Sequence, residues 1–185
     1  MMHHFLIKKY CFIDSFDSNL LKCQDKNTII IYRNYKKENI LDDLIKIKQI
    51  CKKRNYKFFL ANNIKLAIKL RLNGAYLPSF NKNFHHLSYS YRKDFILIGS
   101  AHNNKELKIK EKQKVKFIFL SSLFKKNKNY LGIIKFKILS KNFNNNIIAL
   151  GGISKRNINQ IRLLKISGIA GISMFKKKGP LKRGL

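Results

Sequence analysis

Gly151-Gly152-Ile153-Ser154 is a segment whose backbone alone could hold a ligand. It closes an apolar run that begins at Asn146 and opens a stretch with helical spacing. Its peptide NH groups could therefore approach an anion closely and face it with the positive end of a helix. A phosphate fits such a turn, and so does a plain tight connection between a strand and a helix. A second small-residue run, GISMF from Gly171, ends the next apolar segment with Ser173 and Met174, and the two loops together would make a phosphate cup. Arg33 ends the run NTIIIYR, where a guanidinium can hold a phosphate by two parallel bonds or serve a structural ion pair. With few acids in the chain, the ligand role is favoured. His102, in Ser100-Ala101-His102, could move a proton near neutral pH or simply fix its loop. The cluster KKNKN at Lys125 to Asn129 reads equally as a mobile cationic lid or a solvated loop.

The elements that must position these residues alternate between short apolar runs and longer amphipathic stretches, the pattern of βα units around a parallel sheet. Such runs begin at Tyr10, Asn27, Lys57, Gly74, Phe95, Val115, Asn146 and Gly168. Being apolar throughout, they suit strands covered on both faces. The fold expected is a trimmed TIM (β/α)8 barrel in a single domain over residues 1–185, of which 175–185 form a basic tail. Helices are predicted over LDDLIKIKQICKK from Leu41, over Ile64 to Leu72, over Asn104 to Gln113, and over Lys155 to Ile166 after Ser154 as N-cap. The first crossover (Asp17 to Lys26) and the sixth (Gly132 to Asn142) show weak helical signals. In this architecture functional residues sit at the C-terminal strand ends. That rule adds Asn62 and Asn63 after the third strand, Ser79 and Asn81 after the fourth, and Ser121 to Lys128 after the sixth. His85 and His86 lie in a polar loop and read as surface residues.

Forty Lys and Arg against nine Asp and Glu leave a formal charge of +31. The basic residues are scattered among Asn and Ile, all residues of A/T-rich codons, rather than gathered on one segment, so a biased composition on a solvated surface is the expected reading. Nucleic acid is not the expected partner, and a field that helps anionic substrates arrive is the alternative. Three cysteines, Cys11, Cys23 and Cys51, show no zinc spacing and no even disulfide framework, which points to a reducing cytoplasm. No segment reaches the roughly 18 apolar residues of a membrane span, and the oligomeric state is left open.

Taken in order, these motifs resemble the thiamine-phosphate synthase and thiazole tautomerase superfamily across nearly the whole chain. The carriers are Arg33, Asn62-Asn63, the run Gly74 to Ser79, Ser100-Ala101-His102, Lys128, and Ala149-Leu150-Gly151-Gly152-Ile153 with Asn157. The resemblance implies a transferase that joins hydroxymethylpyrimidine pyrophosphate to thiazole phosphate with release of pyrophosphate. It places Arg33, Asn62 and Lys128 on pyrophosphate, Ser100 at the reacting centre, Ser79 among the substrate-binding residues, and Gly151, Gly152, Ser173 and Met174 on the thiazole phosphate. His102 would be the proton shuttle of the tautomerase variant, which needs no metal. A non-catalytic phosphate-ligand-binding homologue is a further alternative. The resemblance also implies Mg2+, but Asn63 and Asn81 stand where the family has aspartate ligands. An amide brings no negative charge to a hard dication.

Overall fold

Segments dominated by Ile, Phe and Leu bury both faces, and eight of them do so side by side in a closed parallel barrel, in chain order from first to last. The computed structural model describes residues 8–171 apart from 142, 144, 145, 155 and 163. The strands are β1 (Lys8–Ile13), β2 (Thr28–Tyr32), β3 (Lys57–Ala61), β4 (Gly74–Leu77), β5 (Ile96–Ala101), β6 (Phe117–Ser121), β7 (Asn146–Leu150) and β8 (Gly168–Gly171). The ring closes where Lys8 to Cys11 of β1 lie opposite Gly168 to Gly171 of β8.

Alternation along each strand divides the apolar residues into two cores. Cys11, Ile30, Leu60, Leu97 and Ala149 point outward to the helices. Tyr10, Phe12, Ile31, Phe59, Tyr76, Phe119 and Ile148 fill the interior. Phe119 is central there: its ring meets Tyr10 at 5.2 Å, Phe12 at 5.2 Å and Tyr76 at 5.6 Å, mostly edge to face. That arrangement sets the positive ring edges against negative faces.

The outer layer holds α1 (Ser18–Lys22), α2 (Leu41–Arg54), α3 (Ile64–Lys69), α4 (Asn104–Lys112), α5 (Gly132–Lys141) and α6 (Ile158–Ile161). Trimming falls only partly where the sequence signals are weak. The first crossover is indeed a five-residue helix. The sixth, however, carries ten helical residues seated by Phe136. Its amphipathic signal is blurred because Ile134 and Ile138 are exposed on its other face. The most reduced connection is the fourth, whose one helical element is a 3₁₀ turn at His85–Ser88. The helix of the seventh crossover, α6, begins after Asn157 rather than Ser154. There the Asn157 amide accepts from Ser154 N at 2.9 Å and donates to Gly152 O at 2.8 Å, closing the turn and delaying the helix. No helix among the described residues is long and apolar enough to cross a membrane.

Because Phe119 touches three other rings in a space that cannot collapse, Phe119→Ala should lower the unfolding free energy by roughly 3–5 kcal/mol, read from urea denaturation. A loss below about 1 kcal/mol would contradict the packing described.

Candidate functional site

At the C-terminal ends of the strands a cavity of about 370 Å³ opens, lined by Arg33, Tyr35, Tyr76, Ser79, Phe80, Ser100, His102, Ser121, Lys125, Asn127, Asn129 and Gly151, among others. Residues singled out by the strand-end rule therefore meet here: Arg33, Ser79, Ser100, His102 and Gly151, together with Ser121, Ser122, Lys125 and Asn127 from the end of β6 and its loop. Among the described residues no Asp or Glu lines this cavity, while Arg33, Lys125 and His102 do. Asp14 lies in a neighbouring cleft that Arg33 also lines.

Each side chain is held by the strand that carries it. Arg33 follows β2, its NH donating to Ile13 O at 2.7 Å, and its guanidinium lies 4.8 Å from the centre of the Phe12 ring. No carboxylate among the described residues forms an ion pair with it. Tyr76 donates its hydroxyl to Ser100 Oγ at 2.9 Å on the buried floor. Burial pushes the Tyr76 phenol upward, opposed by the Ser100 hydrogen bond and by Arg33, so it stays a neutral donor. His102 Nδ1 lies 2.8 Å from Ser121 O. Ser121 Oγ lies 3.0 Å from the same nitrogen, and because a carbonyl only accepts, the contact to Ser121 O is a hydrogen bond in the tautomer that carries hydrogen on Nδ1. Glu106 accepts from His102 N at 2.8 Å and, through its own NH, bonds the Asn103 cap, so this acid is committed to the start of α4.

The glycine turn serves the loop beside it. Leu123 N donates to Leu150 O at 2.9 Å and Phe124 N to Gly151 O at 2.8 Å, so the chain after β6 runs along the end of β7. Gly151 and Gly152 have φ of 105° and 72°, and a Cβ on Gly152 would stand 2.6 Å from Lys125 N. Gly152 thus lies under the β6 loop rather than facing the cavity, and the loop's own path requires glycine there. Within this loop Lys125 and Lys128 are both exposed, and of the two Lys125 lines the cavity. Which lysine of the run reaches the cavity lining follows from the hydrogen bonds at 123–125, which composition does not encode. Ser173 and Met174, the other half of the expected cup, lie outside the described residues.

Asn62, Asn63 and Asn81 do not line the mouth. They line an adjacent cavity of about 190 Å³ with His85, His86 and Tyr89. Asn81 Nδ2 donates to Asn62 Oδ1 at 2.7 Å, Asn81 Oδ1 accepts from Asn83 N at 2.8 Å, and Asn63 Oδ1 caps α3 by accepting from Leu66 N at 3.0 Å. The amide oxygens are occupied and no carboxylate accompanies them. This donor set does not fit a magnesium ion, and among the described residues no cluster of three or more His, Cys, Asp or Glu could hold a metal. Asp94, just before the N-terminal end of β5, pairs with Arg92 at 3.2 Å. His86, read from sequence as a surface residue, is buried with Nε2 2.9 Å from Gln113 O.

Comparison with known proteins agrees with this architecture. The thiamine monophosphate synthase family model matches residues 16–175. A thiamine-phosphate synthase of Prochlorococcus marinus subsp. pastoris is 30% identical over 166 residues, covering 84% of this chain and 47% of that protein, so the chain spans about half its length. A putative thiamine-phosphate synthase 2 of Aquifex aeolicus is 30% identical over 135 residues, covering 70% of this chain and 71% of that one. In fold, the thiamine phosphate pyrophosphorylase of Pyrococcus furiosus superposes with a TM-score of 0.72 at 17% identity, covering 92% of this chain and 89% of that one.

The β4 loop at the mouth is fixed from below by a buried lysine. Gly99 leaves room for the Lys110 stem, since a Cβ there would lie 2.9 Å from Lys110 Cδ. Lys110 Nζ donates to Asn81 O at 2.7 Å and to Gln113 Oε1 at 2.8 Å, and Gln113 Nε2 reaches Asn83 O at 2.7 Å. Burial pushes this amine down to about 8, with Glu106 opposing the shift. An unfolded lysine titrates near 10.4, so between about 8 and 10.4 the unfolded chain holds more protons and the lysine's contribution to stability rises with pH. Comparing wild type with Lys110→Met by denaturation from pH 7 to 10, the wild type should gain stability relative to the variant as pH rises. A difference independent of pH would contradict the buried amine.

Proposed function

Because the chain belongs to the thiamine monophosphate synthase family, we propose that it acts in thiamine biosynthesis as a synthase-like transferase. It joins hydroxymethylpyrimidine pyrophosphate to thiazole phosphate and releases pyrophosphate. The observation that carries this reading is the mouth itself, which Arg33 and Lys125 both line with no carboxylate among the described residues of its lining. The bond from the pyrimidine methylene to the pyrophosphate oxygen breaks, its electrons leave with pyrophosphate, and the thiazole nitrogen supplies the pair that bonds the carbon. The chemical need is to stabilise negative charge as it grows on the leaving group. Arg33 answers it with a planar two-bond contact and Lys125 with a point charge. Ser79 and Ser100 serve as neutral hydrogen-bonding groups beside the reacting ring, and Gly151, with Ser173 and Met174, is assigned to the thiazole phosphate. Magnesium enters no step, since Asn63 is spent on capping α3 and Asn81 on the β4 loop. The large positive charge speeds the arrival of phosphorylated precursors. Free thiols at Cys11, Cys23 and Cys51 fit a cytoplasmic setting.

His102 favours a second reading. Its imidazole lines the cavity and is held through Nδ1 beside Ser121 O. That is the arrangement a metal-free proton shuttle on a thiazole carboxylate phosphate needs.

The assay supplies both precursors to the purified protein, with magnesium and with EDTA. Thiamine phosphate and pyrophosphate should appear in both, and Arg33→Ala should lower kcat/KM about 10² to 10³-fold. The double change Asn63→Asp, Asn81→Asp should add a magnesium-stimulated component. Metal-free isomerisation of the thiazole carboxylate phosphate without any thiamine phosphate would select the second reading. Turnover in the wild type that EDTA abolishes would overturn the metal-free account.

A further inference from the structure

Two aromatic side chains at the mouth are left in water by the fold. Phe80 is 61% exposed and Tyr35 49% exposed, and their rings meet at 5.4 Å with planes 80° apart. They come from different loops, after β4 and after β2, and both line the cavity that holds Arg33 and Lys125. An exposed aromatic pair leaves apolar area in water that a ligand can cover, and a concave site lined by rings and a few polar groups is the usual form of a small-molecule pocket.

The rings are also held in place before any ligand arrives. Asn34 fixes the Tyr35 turn: its Nδ2 donates to Asp14 O at 2.8 Å, and its Oδ1 accepts from Lys36 N at 3.0 Å and Lys37 N at 3.1 Å. Beside Phe80, Asn81 N donates to Pro78 O at 3.0 Å, Asn81 Nδ2 is tied to Asn62, and Asn81 O accepts from Lys110. A pre-positioned ring surface loses little freedom when it is covered.

We propose that Tyr35 and Phe80 form the ring-binding wall of the mouth, selecting ligands in which a planar aromatic ring is joined to a phosphate. The ring lies against the pair while the phosphate meets Arg33 and Lys125. This rests on the mouth being the substrate site, as above, and names the residues that set its preference for an aromatic substrate.

The test uses ligands that are not thiamine precursors, so that it stands apart from the assay of activity. Benzyl phosphate and glycerol phosphate are titrated calorimetrically into wild type, Phe80→Ala and Tyr35→Leu. Wild type should bind benzyl phosphate about tenfold more tightly, the scale of one stacked ring. Each variant should lose most of that preference while keeping its affinity for glycerol phosphate within about twofold, because the phosphate contacts remain. Unchanged melting temperatures are expected, both side chains being exposed. Equal affinity of wild type for the two ligands, or a preference that survives in both variants, overturns the wall. A preference lost in the variants of a protein that makes no thiamine phosphate leaves the wall standing and removes only the assigned reaction.

Discussion

Closing eight parallel strands into a ring removes every free sheet edge, and the interior must then be filled by side chains alone. In this chain aromatic rings fill it, with Phe119 against Tyr10, Phe12 and Tyr76. The functional end rests on that plug. The upper face of Phe12 receives the Arg33 guanidinium, and the hydroxyl of Tyr76 fixes Ser100, so two polar groups of the mouth are oriented by the rings beneath them. A barrel filled with smaller aliphatic residues would close as well, but it would offer the guanidinium no ring face and Ser100 no phenol.

Around this floor, loops are tied to one another across the mouth. The β6 loop runs along the end of β7 through Leu150 O and Gly151 O, which brings Lys125 to the cavity. The β4 loop is tied to Asn62 on one side and to Lys110 and Gln113 on the other. Positive charge and aromatic surface are thus both set before a ligand binds, which favours electrostatic stabilisation because little reorganisation is left to the reaction step. The same ties occupy the amides at Asn63 and Asn81, so the loop order and the poor fit to magnesium have one structural origin.

The strands were legible because runs such as Ile29 to Ile31 are apolar on both faces, a pattern that a half-exposed sheet does not produce. Arg33, Ser79, Ser100, His102 and Gly151 were legible because strand ends in this topology converge on one face. What stayed hidden depends on contacts distant in sequence. Lys110 reads as one more surface lysine until Gly99 makes space for its stem. The choice of Lys125 over Lys128 depends on a register with β7. Tyr35 and Phe80 left a faint signal, aromatics placed one or two residues beyond strand-end polar residues, but rings in polar loops are common enough to pass unremarked.

Central to this account is that the charge of a bound pyrophosphate is balanced by side chains at the mouth rather than by a metal ion. Calorimetric titration of inorganic pyrophosphate in EDTA measures this directly. Binding should be present, and it should weaken about tenfold or more for each of Arg33→Ala and Lys125→Ala, the scale of one charge-assisted contact. Absence of binding in EDTA, with binding restored by magnesium, would contradict it.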